Sequence, residues 1–414
     1  TDTGLLAAAL GAISPMFVLL SGTLLSHATS IAALTFFAWT FVRARRPYEA
    51  RRARFALLAG ALLGLAAIIR PWTALAVAFP FALLASWDIL RSRGRDLPVY
   101  GAMVLAAALI CAIQVWFNLA ATGSPTANTY TMWWSYDRVG FGLGHGRDVD
   151  GHTLRKGFSN TVLDLAEFPA GLFGWPEPSG VALAWLPIGL GLVWPAPRCN
   201  DRTQSDERRK GTLYHASTND NHTDLRPSSF VLRLGVLRGY ATEWGLLLPA
   251  VALVVAQAAY WARGSSLYGP RYYAEAMPFL WIIAARGLIK FAAGKWRRRA
   301  VMLALPVLLA WSIIFTLEPR ALQGRGLFGI SRRDANAIAA AGPHNALIFV
   351  HSDYWTAYAS FSWLNALTLD GDVIYAKDRG PVENAQVIGD YPGRAVYYYE
   401  RGRQPALRSE AAAR

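Results

Sequence analysis

The stretch VYGAMVLAAALICAIQVWF, Val99 to Phe117, decides the fold class. It is close to the roughly 20 residues that an α-helix needs to cross a hydrocarbon core, and no side chain in it is charged. GLLAAALGAISPMFVLLSGTLL, Gly4 to Leu25, has the same character. Working outward, apolar blocks of this kind recur along the chain. Length and hydrophobicity place about nine membrane segments near 4–24, 27–42, 55–69, 72–90, 98–119, 181–195, 244–262, 276–292 and 300–316. The expected fold is mainly α: a polytopic transmembrane helical bundle over 1–316, followed by a small α/β module over 317–414.

Composition agrees with that reading. Of 414 residues, 54% are hydrophobic and only 16% charged, where a soluble domain carries about a quarter. The formal charge of +14 is concentrated in short connectors: RARRPYEARRAR (Arg43 to Arg54), RSRGR (Arg91 to Arg95) and KWRRR (Lys295 to Arg299). Short loops rich in Lys and Arg stay on the cytoplasmic side, so these connectors fix an orientation. They do not form the basic face interleaved with aromatics that reads nucleic acid, and a nucleic-acid partner is not expected. With the connectors inside, Ser26-His27, Arg70-Pro71, the long loop 120–180, the segment 263–275 and the whole tail fall outside. Two cysteines, Cys111 in an apolar segment and Cys199 in a polar one, do not make a disulfide framework. The chain begins at Thr1 without a signal-peptide pattern, and the simplest inference is that an N-terminal part is missing.

The stretch 196–243 is an exception to the apolar pattern. Its polar first part, Ala196 to Ser229, cannot bury enough apolar surface to order itself, and 196–243 is expected to be a disordered cytoplasmic loop. The sequon Asn221-His222-Thr223 within it would not meet the glycosylation machinery there. In the tail, SRRDANAIAAAG (Ser331 to Gly342) reads as a helix. NALIFVHSDYW (Asn345 to Trp355), DGDVIYAKD (Asp370 to Asp378) and the tyrosine-rich run from Gly393 to Gly402 read as strands.

Ionisable groups at membrane depth face a cavity or a partner, because burying them in lipid costs several kcal/mol. Four clusters on the expected outer side meet that description: Ser26 with His27; Arg70 before Pro71; the loop MWWSYDRVGFGLGHGRDVDGHTLRKGFSNT (Met132 to Thr161); and SSLYGPRYYAEAMPFLW (Ser265 to Trp281). Each has a plainer explanation. His27 caps a turn, Arg70 snorkels to headgroups, the tyrosines form an aromatic belt, and Asp137 with Arg138 is a surface ion pair. Their shared sidedness argues that some of them line one cavity. Arginine suits phosphate through its planar fork, so Arg271 with Tyr272, Tyr268 and Arg70 forms a candidate site for an anionic lipid headgroup, with Glu275 orienting Arg271. Trp134, Tyr136, Arg138, His145 and His152, with His27, suit a sugar or an acceptor. A lipid-linked sugar phosphate held at the lipid bilayer meets all these demands.

SPMFVLLSGTLLSHATS (Ser14 to Ser30), LLAGALLGLAAIIRPWTAL (Leu57 to Leu75), YGPRYYAEAMPFL (Tyr268 to Leu280) and the loop motifs YDRVGFGLGHG and GHTLRKGFSNT together resemble the GT-C class of polytopic membrane glycosyltransferases. The similarity is to the bacterial protein-mannosyltransferase-like and aminoarabinose-transferase-like branch. It spans most of the chain except 196–243, through helix-loop patterns rather than an invariant signature. The resemblance implies a bacterial inner-membrane enzyme that moves a sugar from a polyprenyl-phosphate carrier to an acceptor hydroxyl outside, inverting the anomeric centre. It also implies a carboxylate base in the first external loop, which is expected upstream of Thr1; within this chain Asp137 is the best substitute. The class includes members with and without a divalent metal. No HExxH or paired-carboxylate spacing occurs here, so no cofactor is expected. A flippase for lipid-linked sugars and an inactive truncated product are the competing readings. Against the first, there is no half-sequence repeat of the kind transporters show.

Overall fold

The computed structural model describes residues 1–23, 25–46, 49–127, 129–176, 179–193, 245–352, 358–402 and 406–410. The stretch 196–243 lies outside the described residues. The chain divides into two compact units, Thr1–Glu318 and Pro319–Arg414.

The first unit is helical. Helices α1 (Asp2–Ala12) and α2 (Pro15–Ser21) are separated by a 64° bend. Pro15 starts the second helix and holds Ser14 extended, at φ −62° and ψ 119°, because a residue before proline is pushed out of the α region. There follow α3 (His27–Ala44), α4 (Arg52–Ile69), α5 (Pro71–Arg91) and α6 (Leu97–Thr122). Next come α7 (Thr129–Trp133), α8 (Leu154–Phe173), α9 (Ser179–Val193) and α10 (Gly245–Gln257). After a two-strand hairpin, β1 (Ser265–Ser266) with β2 (Gly269–Pro270), a 3-10 turn over Arg271–Ala276 leads into α11 (Met277–Phe291). Helix α12 (Lys295–Gln323), with a π-helical stretch at Ser312–Leu317, runs past the end of the unit at Glu318.

Among the described residues, four helices are long and apolar enough to cross a membrane, namely α4, α5, α6 and α12, and the bent α1–α2 pair makes a fifth candidate. This is fewer than the nine segments expected from the sequence. The other expected spans are helical too, but α9 and α11 have 15 residues each. That is about 22 Å at ~1.5 Å per residue, short of the ~30 Å hydrocarbon core.

Close packing of α4 on α6 depends on small residues. Ala56, Ala59, Gly60 and Gly64 are buried on one face of α4. A Cβ added at Gly60 would lie 2.0 Å from the Met103 carbonyl oxygen, and one at Gly64 would lie 2.8 Å from that of Ala107. Small residues spaced by four let helix backbones approach in this way. The core of the unit includes Phe37, Phe41, Phe81 and Phe279.

Helix α8 lies inside the region expected to be a loop. Thr153 caps its start by accepting from the Lys156 N–H, and Gly174 in the left-handed region ends it. Gly157, Asp164 and Phe168 are buried along one face, the 3–4-residue spacing of an amphipathic helix. Leu154 and Phe158 are exposed.

In the second unit, α13 (Arg332–Ala340) precedes strands β3 (Ala346–Val350) and β4 (Val373–Lys377), helix α14 (Pro381–Asp390) and strands β5 (Ala395–Tyr399) and β6 (Leu407–Ser409). The sheet order is β4-β3-β5-β6. β3 pairs in parallel with both β4 and β5, while β6 runs antiparallel to β5. All five residues of β3 are fully buried, which fits a central parallel strand covered on both faces.

Candidate functional site

Three chain breaks bring the charged groups of the first unit together. Pro71 forces the chain out of helix at Arg70 (φ −147°, ψ 79°), so Arg70 projects from the joint between α4 and α5. His27 begins α3, and Glu275 sits in the 3-10 turn before α11. Arg70 Nε lies 3.2 Å from Glu275 Oε1, and His27 Nδ1 lies 3.5 Å from the same oxygen. Arg70 Nη1 is 3.0 Å from His27 Nε2. Glu275 is 1% exposed and His27 2%. Neither carboxylate oxygen of Glu275 has a well-aligned hydrogen bond among the described residues, so charge attraction is what holds it. Glu275 therefore orients Arg70, and not Arg271 as expected from the sequence.

Beside this triad, two guanidinium groups approach the Tyr272 ring. Arg70 Cζ and Arg271 Cζ each stand 5.4 Å from its centroid, a range in which a cation is attracted to the ring face. Gly264, at φ +65°, makes room for this ring, since a Cβ there would lie 2.5 Å from it.

Asp137 enters from the long loop. Its Oδ1 accepts from the Tyr260 hydroxyl at 2.6 Å and from Trp261 Nε1 at 2.8 Å, and the Tyr130 hydroxyl also bonds to this carboxylate. The loop is stitched to the same segment by Gly140 N–H donating to the Ala259 carbonyl at 2.8 Å. Tyr260 in turn packs edge-on against Tyr272, with centroids 5.1 Å apart.

The result is one open cavity of about 820 Å³, whose lining includes His27, Arg70, Asp137, Arg271 and Tyr272. Gln114, Asn118 and Gln257 also line it. These three were missed in the sequence, although Gln114 and Asn118, one turn apart in an apolar helix, were a legible signal. Tyr260 and Trp261, the partners of Asp137, gave no such signal.

The other expected site residues lie elsewhere. Tyr268 packs against the hydrophobic core. Trp134 stands against Tyr130 with centroids 4.7 Å apart, and the Tyr136 hydroxyl accepts from Arg147 Nε at 3.0 Å. Arg138 is exposed, away from the cavity lining. His145 Nδ1 is 3.3 Å from the Leu143 carbonyl. His152 is 2% exposed, stacked on Phe141, and its Nε2 is 3.0 Å from the Ala258 carbonyl. It fastens the loop and is not available to a sugar hydroxyl.

A second charged cluster joins α8 to the hairpin. Arg263 Nε donates to Asp164 Oδ1 at 3.0 Å and its Nη2 to Glu167 Oε1 at 2.6 Å, while the Ser265 hydroxyl donates to Glu167. Burial pushes the Asp164 carboxyl up to about 6, against the opposing pull of Arg263. Among the described residues, no group of three or more His, Cys, Asp or Glu side chains is placed to hold a metal ion.

An apolar groove of about 690 Å³ lies next to the polar cavity, between α5 and α10, with Leu75, Phe79, Val251 and Val255 in its walls. Trp72 lines both spaces, and its Nε1–H donates to the Ala256 carbonyl at 2.9 Å. Comparison with family models, with curated proteins and with solved structures returns no match.

Proposed function

We propose that this chain is a membrane glycosyltransferase that moves a sugar from a polyprenyl-phosphate carrier to an acceptor hydroxyl on the extracytoplasmic side. In this reading the shorter apolar helices α3, α9, α10 and α11 are spans as well, and the Pro319–Arg414 unit is extracytoplasmic. The observation that carries the proposal is the pairing of a polar cavity holding Arg70, Arg271 and Asp137 with an apolar groove that shares Trp72. An amphiphile with an anionic head and an isoprenoid chain fits that pairing.

In the proposed reaction the acceptor oxygen attacks the anomeric carbon as the bond to the carrier phosphate breaks, which inverts the centre. Asp137 takes the hydroxyl proton, and its aromatic donors fix its orientation. The carrier phosphate leaves with the electron pair. Arg70, held in place by Glu275, and Arg271 both donate hydrogen bonds to the departing phosphate. No step draws on a metal.

The test uses radiolabelled polyprenyl-phosphate sugars with the protein in vesicles. Covalent transfer to an acceptor is expected, with Arg271→Ala inserting normally but losing transfer. Asp137→Asn should lose about 10²–10⁴-fold, the range of a positioned general base. Movement of the labelled lipid between leaflets without transfer would point to a flippase. Full transfer by Arg271→Ala would remove the phosphate site.

A further inference from the structure

The second unit carries a crevice that the transferase proposal does not use. β3, β4 and β5 are parallel, so their carboxyl ends share one edge of the sheet. The residue following each strand is polar: His351, Asp378 and Glu400. After β3 the chain passes to β4 on one side, and after β5 it passes to β6 on the other. In open parallel sheets, divergence of this kind leaves a crevice at the carboxyl ends, and ligands bind there. These three side chains, with Arg408 and Glu410, line a cavity of about 650 Å³.

The chemistry of the lining narrows the ligand. Asp378 is built in: its Oδ1 accepts from the Gly380 N–H at 3.1 Å and from Asn384 Nδ2 at 2.8 Å, and its Oδ2 lies 3.3 Å from His351 Nδ1. Arg408 Nη2 donates to Glu400 at 3.2 Å. Arg408 Nε is buried with no acceptor among the described residues. Among the described lining residues, three carboxylates and one guanidinium present hydrogen-bond acceptors and donors side by side. Pro381, Ala385 and Ile388 supply an apolar wall. Carboxylates that accept, a guanidinium that donates and a flat apolar side together match vicinal hydroxyl groups, each of which donates and accepts at once.

We propose that this crevice binds an uncharged saccharide. It is tested on the full chain in detergent micelles by saturation-transfer NMR, with mannotriose and tri-N-acetylchitotriose as probes. Transfer to the ring protons of at least one probe is expected. Ala385 is exposed, so Ala385→Trp fills the crevice without entering the core and should abolish the signal. Glu400→Gln should weaken binding about tenfold, the weight of one charged hydrogen bond. The proposal is overturned if neither probe receives saturation or if Ala385→Trp leaves the signal intact. Displacement of the probe by inorganic phosphate or by spermidine also overturns it. No lipid-linked donor is involved, so failure here leaves the transferase proposal standing.

Discussion

Replacing Glu275 by Gln keeps its shape and removes its charge from the centre of the triad. The carboxylate is 1% exposed, and it faces Arg70 at 3.2 Å and His27 at 3.5 Å. Breaking a buried pair by removing one partner costs about 3–5 kcal/mol, because the other charge is left uncompensated. Arg70 keeps 15% of its side chain exposed and lines the open cavity, so water solvates it in part. The expected loss therefore falls to about 2–3 kcal/mol, or a drop of roughly 3–5 °C in the melting midpoint of a unit this size. The chain's 16 tryptophans allow the transition to be followed by intrinsic fluorescence in detergent. Arg70→Gln should cost a similar amount, since it strands Glu275 instead. The double variant should recover about 2 kcal/mol of the summed losses, the coupling expected of side chains in direct contact. A Glu275→Gln protein within about 0.5 kcal/mol of the parent, or additive losses in the double variant, would refute the ion-pair account.

Two further outcomes follow from packing and burial. Gly60→Leu should destabilise the protein by about 3 kcal/mol through collision with the backbone of α6. Gly101→Leu, where an added Cβ meets nothing within 4 Å, serves as the control, and equal melting midpoints for the two would refute the close-packing account. The Asp164 carboxyl, raised to about 6 by burial despite Arg263, binds its proton more tightly folded than unfolded. Stability from this group should be greatest at low pH, decline between about pH 4 and 6, and stay flat above, by at most about 3 kcal/mol in all. Asp164→Asn should remove that slope in denaturant titrations run across the same range, and an unchanged slope would refute the assignment.

Hydropathy marks the apolar helices, because an apolar block near 20 residues has few other ways to satisfy its backbone. The segment at 98–119 corresponds to α6, Leu97–Thr122. Hydropathy is blind to breaks inside a block: the single span at 4–24 is two helices, and only the Ser14-Pro15 step carried that information. Helix α8 escaped notice because Arg155, Lys156, Asp164 and Glu167 dilute its apolar face, although Thr153 and Gly174 mark both its ends. The meeting of His27, Arg70 and Glu275 was not legible. Three distant positions with complementary charge give no periodic signal, and only helix packing decides which partner each one finds. That is also why the sequence pairs Glu275 with Arg271, its neighbour along the chain, when its neighbour in space is Arg70.

Trp72 acts as a septum. One indole forms part of the wall of a wet compartment and of a dry one, and its hydrogen bond to Ala256 pins it to α10. A molecule occupying both compartments must change from polar to hydrocarbon where it passes this ring. In the proposed transferase, Trp72 would act as a gauge, setting how deep the head of the lipid-linked donor sits and which of its bonds faces Asp137.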